Sequence, residues 1–347
     1  MQESRTTDPE TIMKNDSLTS EFGQLFMAGL PGPDLDESTV ELIRQYHVNN
    51  FILFKRNTLS PDQIHSLTRN LLAACSQMGV PPPLIAIDQE GGTVARLPEP
   101  FSQFGDARKY AESAEPETSL ENFALTCGHE LHDVGINMNL APVLDICPAG
   151  QDFFMEKRSL GNDPERVAAL ACLIIARMQE CGVAACAKHF PGLGAAKIDP
   201  HLHLPVVHRL REQLLSDLIP FQKAISSGVA AVMTSHTVYT DLDPGIPATL
   251  SEKILSGILR RQMGYEGVVI TDDLEMGAIE NDKPVEQAAL ESFLAGSDLL
   301  LICHDQNKVK KSCEQFVQAF DLGRFSADRV QQSLERLARL RERFGIV

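Results

Sequence analysis

Acidic, basic and hydroxyl side chains directly follow five of the short apolar segments in this sequence. They are the run Asp88-Gln-Glu-Gly-Gly-Thr-Val-Ala-Arg96, Asp145 with the loop Lys157-Arg158-Ser159, Lys188-His189 with Asp199-Pro-His201 beyond it, Ser235-His236, and Thr271-Asp272-Asp273. Carboxylates can act as nucleophiles, imidazoles can transfer protons near neutral pH, and cations can bind polar substrates. Because clustering such groups in one place costs stability, the pattern is typical of an enzyme.

The apolar segments have the pattern of eight β-strands. They are Leu25–Leu30, Asn50–Phe54, Leu84–Asp88, Ile136–Val143, Val183–Lys188, Ala230–Ser235, Val268–Thr271 and Asp298–Ile302. Most are continuous apolar runs, as expected of strands buried on both faces, and amphipathic helical patterns lie between them. Eight alternating units predict an α/β fold, a single (β/α)8 barrel of TIM type, regular or irregular, with extra C-terminal helices. In such barrels the active site lies at the carboxyl ends of the strands, where the polar residues above are placed.

Single residues predict several helix boundaries. Asp163 can cap a helix that has Pro164 at its first position. Pro220 interrupts another helical pattern, which predicts a kink or two shorter helices. Two further helices are predicted near residues 307–320 and at 327–343.

The composition narrows the class of protein. The 347 residues include 31 Lys and Arg against 47 Asp and Glu, a net charge of −16, so nucleic acids and anionic membranes are not expected as partners. The sequence contains no run of 18 uncharged apolar residues, and its polar N-terminus lacks the pattern of a signal peptide. Because no linker rich in Pro, Gly or Ser divides the chain, we expect one catalytic domain over 19–347. A disordered or loosely packed lead-in over 1–18 is expected to precede it.

The cysteines and histidines give no sign of a metal site. Eight cysteines without a C-x-x-C pair favour reduced thiols in a cytoplasmic protein. His201 and His203 are two residues apart, whereas a zinc-binding helix needs histidines at i and i+4. Gly192-Leu-Gly194 lacks the third glycine of a dinucleotide-binding loop. We therefore expect neither a metal ion nor a cofactor.

Structural roles remain open for some of these residues. Asp272-Asp273 can cap the turn that follows, an alternative that is stronger for Asp273, and Asp88 can cap a glycine turn. Residues 199–201 can form an ordinary turn. Lys188-His189 can be a buried ion-paired couple, but neighbouring residues of a strand point to opposite faces, so at least one of the two should enter the barrel mouth.

Five motifs, taken together, resemble one enzyme family. They are Ile87-Asp88-Gln-Glu-Gly-Gly-x-Val-x-Arg96, Arg158-Ser159, Lys188-His189-Phe-Pro-Gly192, Asp199-x-His201 and Thr271-Asp272-Asp273-Leu-x-Met276. In this order they resemble glycoside hydrolase family 3, and specifically its single-domain bacterial β-N-acetylglucosaminidases. The motifs span nearly the whole predicted barrel, and five in one order are far more specific than any one alone.

The resemblance implies a retaining β-N-acetylhexosaminidase that works by double displacement. Asp272 would be the nucleophile, and His201 would be the acid and base, oriented by Asp199. The positions that match the family's sugar-binding residues are Asp88, Arg96, Arg158, Lys188 and His189. The implied substrate carries a terminal, non-reducing β-linked GlcNAc. The family's usual cytoplasmic role is to release that sugar from muropeptides in peptidoglycan recycling.

Two positions depart from the family pattern. Leu193 stands where histidine is usual, and Pro200 stands where serine is usual. Because proline biases Asp199 toward extended geometry, we expect a loop that is either stiffer or differently placed than in relatives and that keeps all of its proposed catalytic groups. Two other functions stay open. One is a β-N-acetylglucosaminide phosphorylase of the same family, since a histidine acid/base would not repel phosphate; the other is a catalytically silent sugar-binding barrel.

Overall fold

The computed structural model describes residues 21–150 and 153–347, and its centre is a ring of parallel strands. The strands are β1 (Phe26–Gly29), β2 (Asn50–Leu53), β3 (Leu84–Ile87), β4 (Met138–Asn139), β5 (Ala184–Phe190), β6 (Val206–Val207), β7 (Ala231–Thr234), β8 (Val238–Tyr239), β9 (Val268–Ile270) and β10 (Leu300–Ile302). Eight of them pair in the order β10-β1-β2-β3-β4-β5-β7-β9, and each neighbouring pair is parallel. A parallel bridge between Ile270 and Leu299 brings β9 against the segment before β10 and closes the ring. All eight predicted strands, and the predicted barrel, are confirmed.

Helices surround the ring and bury one apolar side against it. They are α1 (Glu37–Tyr46), α2 (Pro61–Gln77), α3 (Ala107–Ala111), α4 (Pro116–Asp133), α5 (Pro164–Glu180), α6 (Arg211–Asp217), α7 (Ile219–Ser226), α8 (Gly277–Glu280), α9 (Val285–Ala295), α10 (Gln306–Asp321) and α11 (Ala327–Arg343). Short 3-10 turns lie at Phe22–Leu25, Lys55–Asn57 and Ala248–Leu250, and Lys253–Gln262 is π-helical. On α5 the inward residues Val167, Ala171 and Ile175 are fully buried.

The helix boundaries predicted from single residues are confirmed. The side chain of Asp163 accepts a hydrogen bond from the backbone N–H of Arg166 at 2.7 Å, and α5 begins at Pro164. The helical pattern around Pro220 is divided into two short helices, α6 and α7, as a proline within the pattern predicts. The two C-terminal helices lie within one residue of their predicted positions.

A small second sheet was not predicted. It pairs β6 with β8, and at two residues each these strands are too short to show an alternating pattern. The sheet fixes both ends of the β5 loop, which we define as residues 191–205. The backbone N–H of Val238 donates to the carbonyl of Pro205 at 3.0 Å, and the hydroxyl of Tyr239 donates to the carbonyl of Gly192 at 2.9 Å.

A buried carboxylate ties α11 to the amino-terminal end of the barrel. Asp298, just before β10, is 0% exposed. It accepts hydrogen bonds from the hydroxyl of Ser333 at 2.6 Å and the guanidinium of Arg336 at 3.1 Å, and it pairs with Arg260. Its contacts lie at the opposite end of the strands from the polar residues singled out by the sequence.

Within the described residues, no helix is both long enough and apolar enough to cross a membrane. The predicted lead-in over 1–18 lies outside the described residues.

Candidate active site

Four charged side chains from three strand ends form a buried network at the barrel mouth. The ammonium of Lys188, only 2% exposed, lies 2.7 Å from Asp88 Oδ1 and 2.6 Å from Glu90 Oε1. The guanidinium of Arg158 donates to both oxygens of Glu90, at 2.8 Å from Nε and 2.7 Å from Nη2. Two-oxygen pairing of this kind fixes the orientation of both groups. The predicted positions Asp88, Arg158 and Lys188 are thus brought together by Glu90.

The network keeps Glu90, Lys188 and Arg158 charged. Burial alone would raise the pKa of Glu90, but Arg158 and Lys188 outweigh it and hold that pKa well below its usual range. Burial alone would lower the pKa of Lys188, but Asp88 and Glu90 raise it. The pKa of Arg158 is likewise raised by Glu90 against the effect of burial. The mouth therefore presents fixed charges at neutral pH.

Arg96 reaches the same network from the loop after β3. Its Nη2 lies 3.5 Å from Asp88 Oδ2, and its backbone N–H donates to the side chain of Gln89 at 2.8 Å. The turn between them depends on glycine, since Gly92 has φ +56° and a Cβ there would lie 2.1 Å from Asp106 Oδ1. At Gly92 the space beside the backbone is filled by Asp106.

His189 lies beside the network and is held by a buried aspartate. Its Nδ1 lies 2.7 Å from Asp145 Oδ2, and its Nε2 lies 3.5 Å from Arg158 Nη2. Lys188 and His189 therefore both reach the mouth cluster. The expectation that strand neighbours diverge does not apply here, because the register of β5 against β7 shifts between Ala187 and Phe190.

Asp272 follows β9 and is held by a backbone amide. Its Oδ1 accepts a hydrogen bond from the N–H of Asp273 at 2.8 Å. Burial alone would raise the pKa of Asp272, but the nearby imidazoles of His189 and His236, the backbone amide of Asp273 and the ammonium of Lys188 together lower it. Asp272 is therefore a carboxylate at neutral pH. Asp273 has a different function, since its Oδ1 accepts from the N–H of Glu275 at 3.1 Å, so the capping alternative holds for this residue.

A buried histidine holds the segment 272–273 by a hydrogen bond. His236 is 1% exposed, and its Nε2 lies 2.9 Å from the carbonyl oxygen of Asp273. Because a carbonyl can only accept, Nε2 carries the proton, and Nδ1 lies 2.8 Å from the hydroxyl oxygen of Thr249. Burial lowers the pKa of His236, so the ring is neutral near pH 7. The segment that carries Asp272 is thereby anchored to the end of β7.

Asp199 and His201 form a separate pair in the β5 loop. His201 Nδ1 lies 2.7 Å from Asp199 Oδ1, and the backbone N–H of His201 donates to the same oxygen at 2.9 Å. The His201 side chain is 62% exposed, and its ring lies 6.2 Å from the ring of Phe154. Among residues 21–150 and 153–347, no hydrogen bond joins His201 to Asp272. The pair orients an imidazole that is largely exposed to solvent.

The two departures from the family pattern lie at buried positions. Leu193 is 2% exposed. Its side chain is apolar, but its backbone N–H donates to Asp145 Oδ1 at 2.6 Å. Pro200, within the β5 loop, is also buried. The Asp199–His201 pair forms with both substitutions present.

Comparison with known proteins identifies the family over nearly the whole chain. The family model "Glycosyl hydrolase family 3 N terminal domain" matches residues 17–340. The chain belongs to glycosyl hydrolase family 3. A β-hexosaminidase from Nitrosomonas eutropha is 33% identical over 326 residues, which cover 91% of this chain and 92% of that relative.

Solved structures of family 3 enzymes agree with the fold. A β-N-acetylglucosaminidase from Paenibacillus sp. FPU-7 superposes with a TM-score of 0.90 at 38% identity, over 95% of this chain. This chain spans only 63% of that protein. A β-N-acetylhexosaminidase from Beutenbergia cavernae has a TM-score of 0.86 at 33% identity, over 93% of this chain and 98% of that one. The chain is therefore a glycoside hydrolase of family 3.

Sequence reasoning did not assign three residues of this family 3 site. Glu90 lies within the first motif, two residues after Asp88, and Asp145 and His236 each follow a predicted strand. Their position after strands was a usable signal, but their partners were not visible in the sequence. The structure shows that Glu90 joins two cations, Asp145 orients His189, and His236 supports the backbone of Asp273.

Proposed function

We propose that this family 3 hydrolase is a retaining β-N-acetylglucosaminidase that releases terminal, non-reducing β-linked GlcNAc. The observation that carries the proposal is that two different groups follow the carboxyl ends of two strands of one barrel, β9 and β5. One is Asp272, a carboxylate whose pKa is lowered. The other is the Asp199–His201 pair, which offers a proton-transferring imidazole. The names and folds of the relatives support the same activity.

In the first step, the carboxylate of Asp272 attacks the anomeric carbon while the bond from that carbon to the glycosidic oxygen breaks. His201 gives its Nε2 proton to the departing oxygen. Asp199 holds Nδ1–H and stabilises the ring while it is protonated. The products are the free alcohol and a glycosyl ester on Asp272.

In the second step, water replaces the leaving group. His201, now neutral, takes a proton from the water as its oxygen attacks the anomeric carbon, and the ester bond to Asp272 breaks. The sugar leaves with its original anomeric configuration, and both residues return to their starting charges.

The buried network would bind the sugar hydroxyls. Asp88 is 16% exposed at its side chain and can accept hydrogen bonds from hydroxyls, whereas Arg96, Arg158, Lys188 and His189 can donate them. Because Glu90 and Asp145 already hold Arg158, Lys188 and His189 in place, these three donors lose little side-chain entropy when the sugar binds.

We further propose that the physiological substrates are muropeptides and that the enzyme works in peptidoglycan recycling in the cytoplasm. All eight cysteines are free thiols, and seven of them are buried, which suits a reducing compartment. The five-motif resemblance to single-domain bacterial β-N-acetylglucosaminidases supports the substrate class.

The proposal is tested with 4-nitrophenyl glycosides of β-GlcNAc and β-glucose at neutral pH. We expect cleavage of the GlcNAc glycoside by the wild type and loss of turnover in Asp272→Ala. We expect His201→Ala to lose activity mainly on poor leaving groups, by about 100-fold or more, since a good leaving group departs without an acid. His203→Ala, an exposed histidine two residues along the same loop, is the matched control and should resemble the wild type.

Three results would contradict the proposal. Substantial turnover by Asp272→Ala would refute the nucleophile. A product that is GlcNAc 1-phosphate when phosphate is added, with faster turnover, would identify a phosphorylase. Binding of GlcNAc without turnover of either glycoside would identify a silent sugar-binding barrel.

A further inference from the structure

The β5 loop contacts α8, the short helix that follows β9 and Asp272. The backbone N–H of Gly277 donates to the carbonyl of His201 at 3.1 Å, and the N–H of Ala278 donates to the carbonyl of Pro200 at 3.0 Å. The side chain of Asn281 donates to the carbonyl of Leu202 at 3.1 Å. Three successive carbonyls of the loop are thus held by the amino-terminal turn of α8 and the residue after it.

Where the β5 loop contacts α8, only glycine fits at position 277. A Cβ built there would lie 2.7 Å from the carbonyl oxygen of Leu202 and 2.9 Å from that of His201, closer than real Cβ atoms approach backbone. Gly277 does not have a positive φ, so alanine would suit its backbone conformation. The need for glycine at this position therefore comes from the close approach of the loop.

We propose that Gly277 is a positioning residue that fixes the acid/base His201 relative to the nucleophile Asp272. Gly277 lies five residues after Asp272 in the chain, and Asp272 is itself held by the amide of Asp273. One short segment thus holds the nucleophile at one end and the backbone of the acid/base at the other. The inference rests on the proposed function, since it assigns the acid/base role to His201.

A side chain at position 277 would lift the loop without touching the nucleophile. Gly277→Ala should therefore reduce proton donation and leave nucleophilic attack intact. A correctly placed general acid contributes about 100-fold to 10,000-fold to the rate, and a displaced one contributes less. We therefore expect kcat/KM for β-GlcNAc glycosides with poor, alkyl leaving groups to fall about tenfold or more. We expect kcat/KM for the 4-nitrophenyl glycoside to fall less than threefold. In Gly277→Ala/His201→Ala, the leaving-group dependence should be no steeper than in His201→Ala alone.

Loop position can be measured without catalysis. Lys197 is an exposed trypsin site within the β5 loop, so cleavage after Lys197 reports how firmly the loop is seated. We expect Gly277→Ala to be cleaved several-fold faster than the wild type, and Asn281→Ala, which loses one hydrogen bond, to lie between them. Gly32→Ala is the matched control, because a Cβ at Gly32 meets nothing within 4 Å.

The outcomes distinguish the role of Gly277 in holding the β5 loop from the proposed acid/base role of His201. Unchanged tryptic cleavage, or an equal loss on good and poor leaving groups, would overturn the role of Gly277. A flat leaving-group dependence in His201→Ala would refute the acid/base assignment. The cleavage rates would then still test whether Gly277 holds the loop. Faster cleavage together with a selective loss on alkyl glycosides supports both.

Discussion

Glu90 is the residue whose loss should disturb the barrel mouth most. Its carboxylate makes three short contacts, two to Arg158 and one to Lys188, and its side chain is 5% exposed. Glu90→Gln keeps the size and one carbonyl acceptor but removes the charge. Lys188 keeps Asp88 at 2.7 Å, whereas Arg158 loses its bidentate partner in a buried place.

Removing one partner from a buried ion pair costs about 3–5 kcal/mol, because the remaining charge stays buried without compensation. We expect the lower end for Glu90→Gln, about 3 kcal/mol of unfolding free energy, since the amide oxygen still accepts one hydrogen bond. That corresponds to roughly a 100-fold change in the unfolding equilibrium. KM should also rise, because Arg158 and Lys188 would no longer be held in place.

The assay is urea unfolding followed by circular dichroism at pH 7, with Glu37→Gln as the matched control. Glu37 forms an exposed pair with Arg44 at 3.7 Å, and its loss should cost no more than about 0.5 kcal/mol.

The pKa of Glu90 is depressed from an ordinary value of 4.5, so its contribution to stability is present above pH 4.5 and is lost as the pH falls below it. The difference between wild type and Glu90→Gln should shrink in acid. If Glu90→Gln cost no more than Glu37→Gln, the network would not stabilise the fold.

Two further stability predictions concern other buried carboxylates. Burial raises the pKa of Asp217 to about 6 although Arg209 lies 2.5 Å away, so the wild type should lose stability as the pH rises from 4 to 7. Asp217→Asn should not show this loss, and the difference in melting temperature between the two proteins at pH 4 and pH 7 checks it. Asp298→Asn should cost about 3–5 kcal/mol with an unchanged KM, because its partners Arg336 and Ser333 lie at the far end of the barrel. Parallel urea titrations and kinetics would separate this stability effect from an effect on the site.

The strands and helix boundaries could be predicted because their signals are local. A strand buried on both faces is a continuous apolar run, and Asp163-Pro164 marks a helix start by its own chemistry. The same holds for Pro220, whose missing N–H divides a helix wherever it falls in the pattern. The barrel followed from counting these units, since their alternation leaves few other folds.

The partners within the site could not be predicted because they are far apart in sequence. Glu90 meets Arg158 across 68 residues, and Asp145 meets His189 across 44. Strand order places such residues at one mouth, but which carboxylate pairs with which cation depends on side-chain directions that the pattern does not give. The shifted register of β5 is an example, because it lets Lys188 and His189 reach the same cluster.

The carboxylates at the mouth differ in what holds them, and this difference argues for the nucleophile. Asp88 and Glu90 lie within 2.7 Å of an ammonium, so their charge is neutralised by direct contact, and Asp145 lies 2.7 Å from the imidazole of His189, which occupies one of its oxygens. Asp272 forms no such ion pair within the part of the chain that the structure describes, and one oxygen accepts a single amide hydrogen bond. Nearby positive charge keeps it ionised, while none of the cations among the described residues forms an ion pair with its second oxygen. A carboxylate must be charged and unshielded to attack an anomeric carbon, and among these four Asp272 meets both requirements.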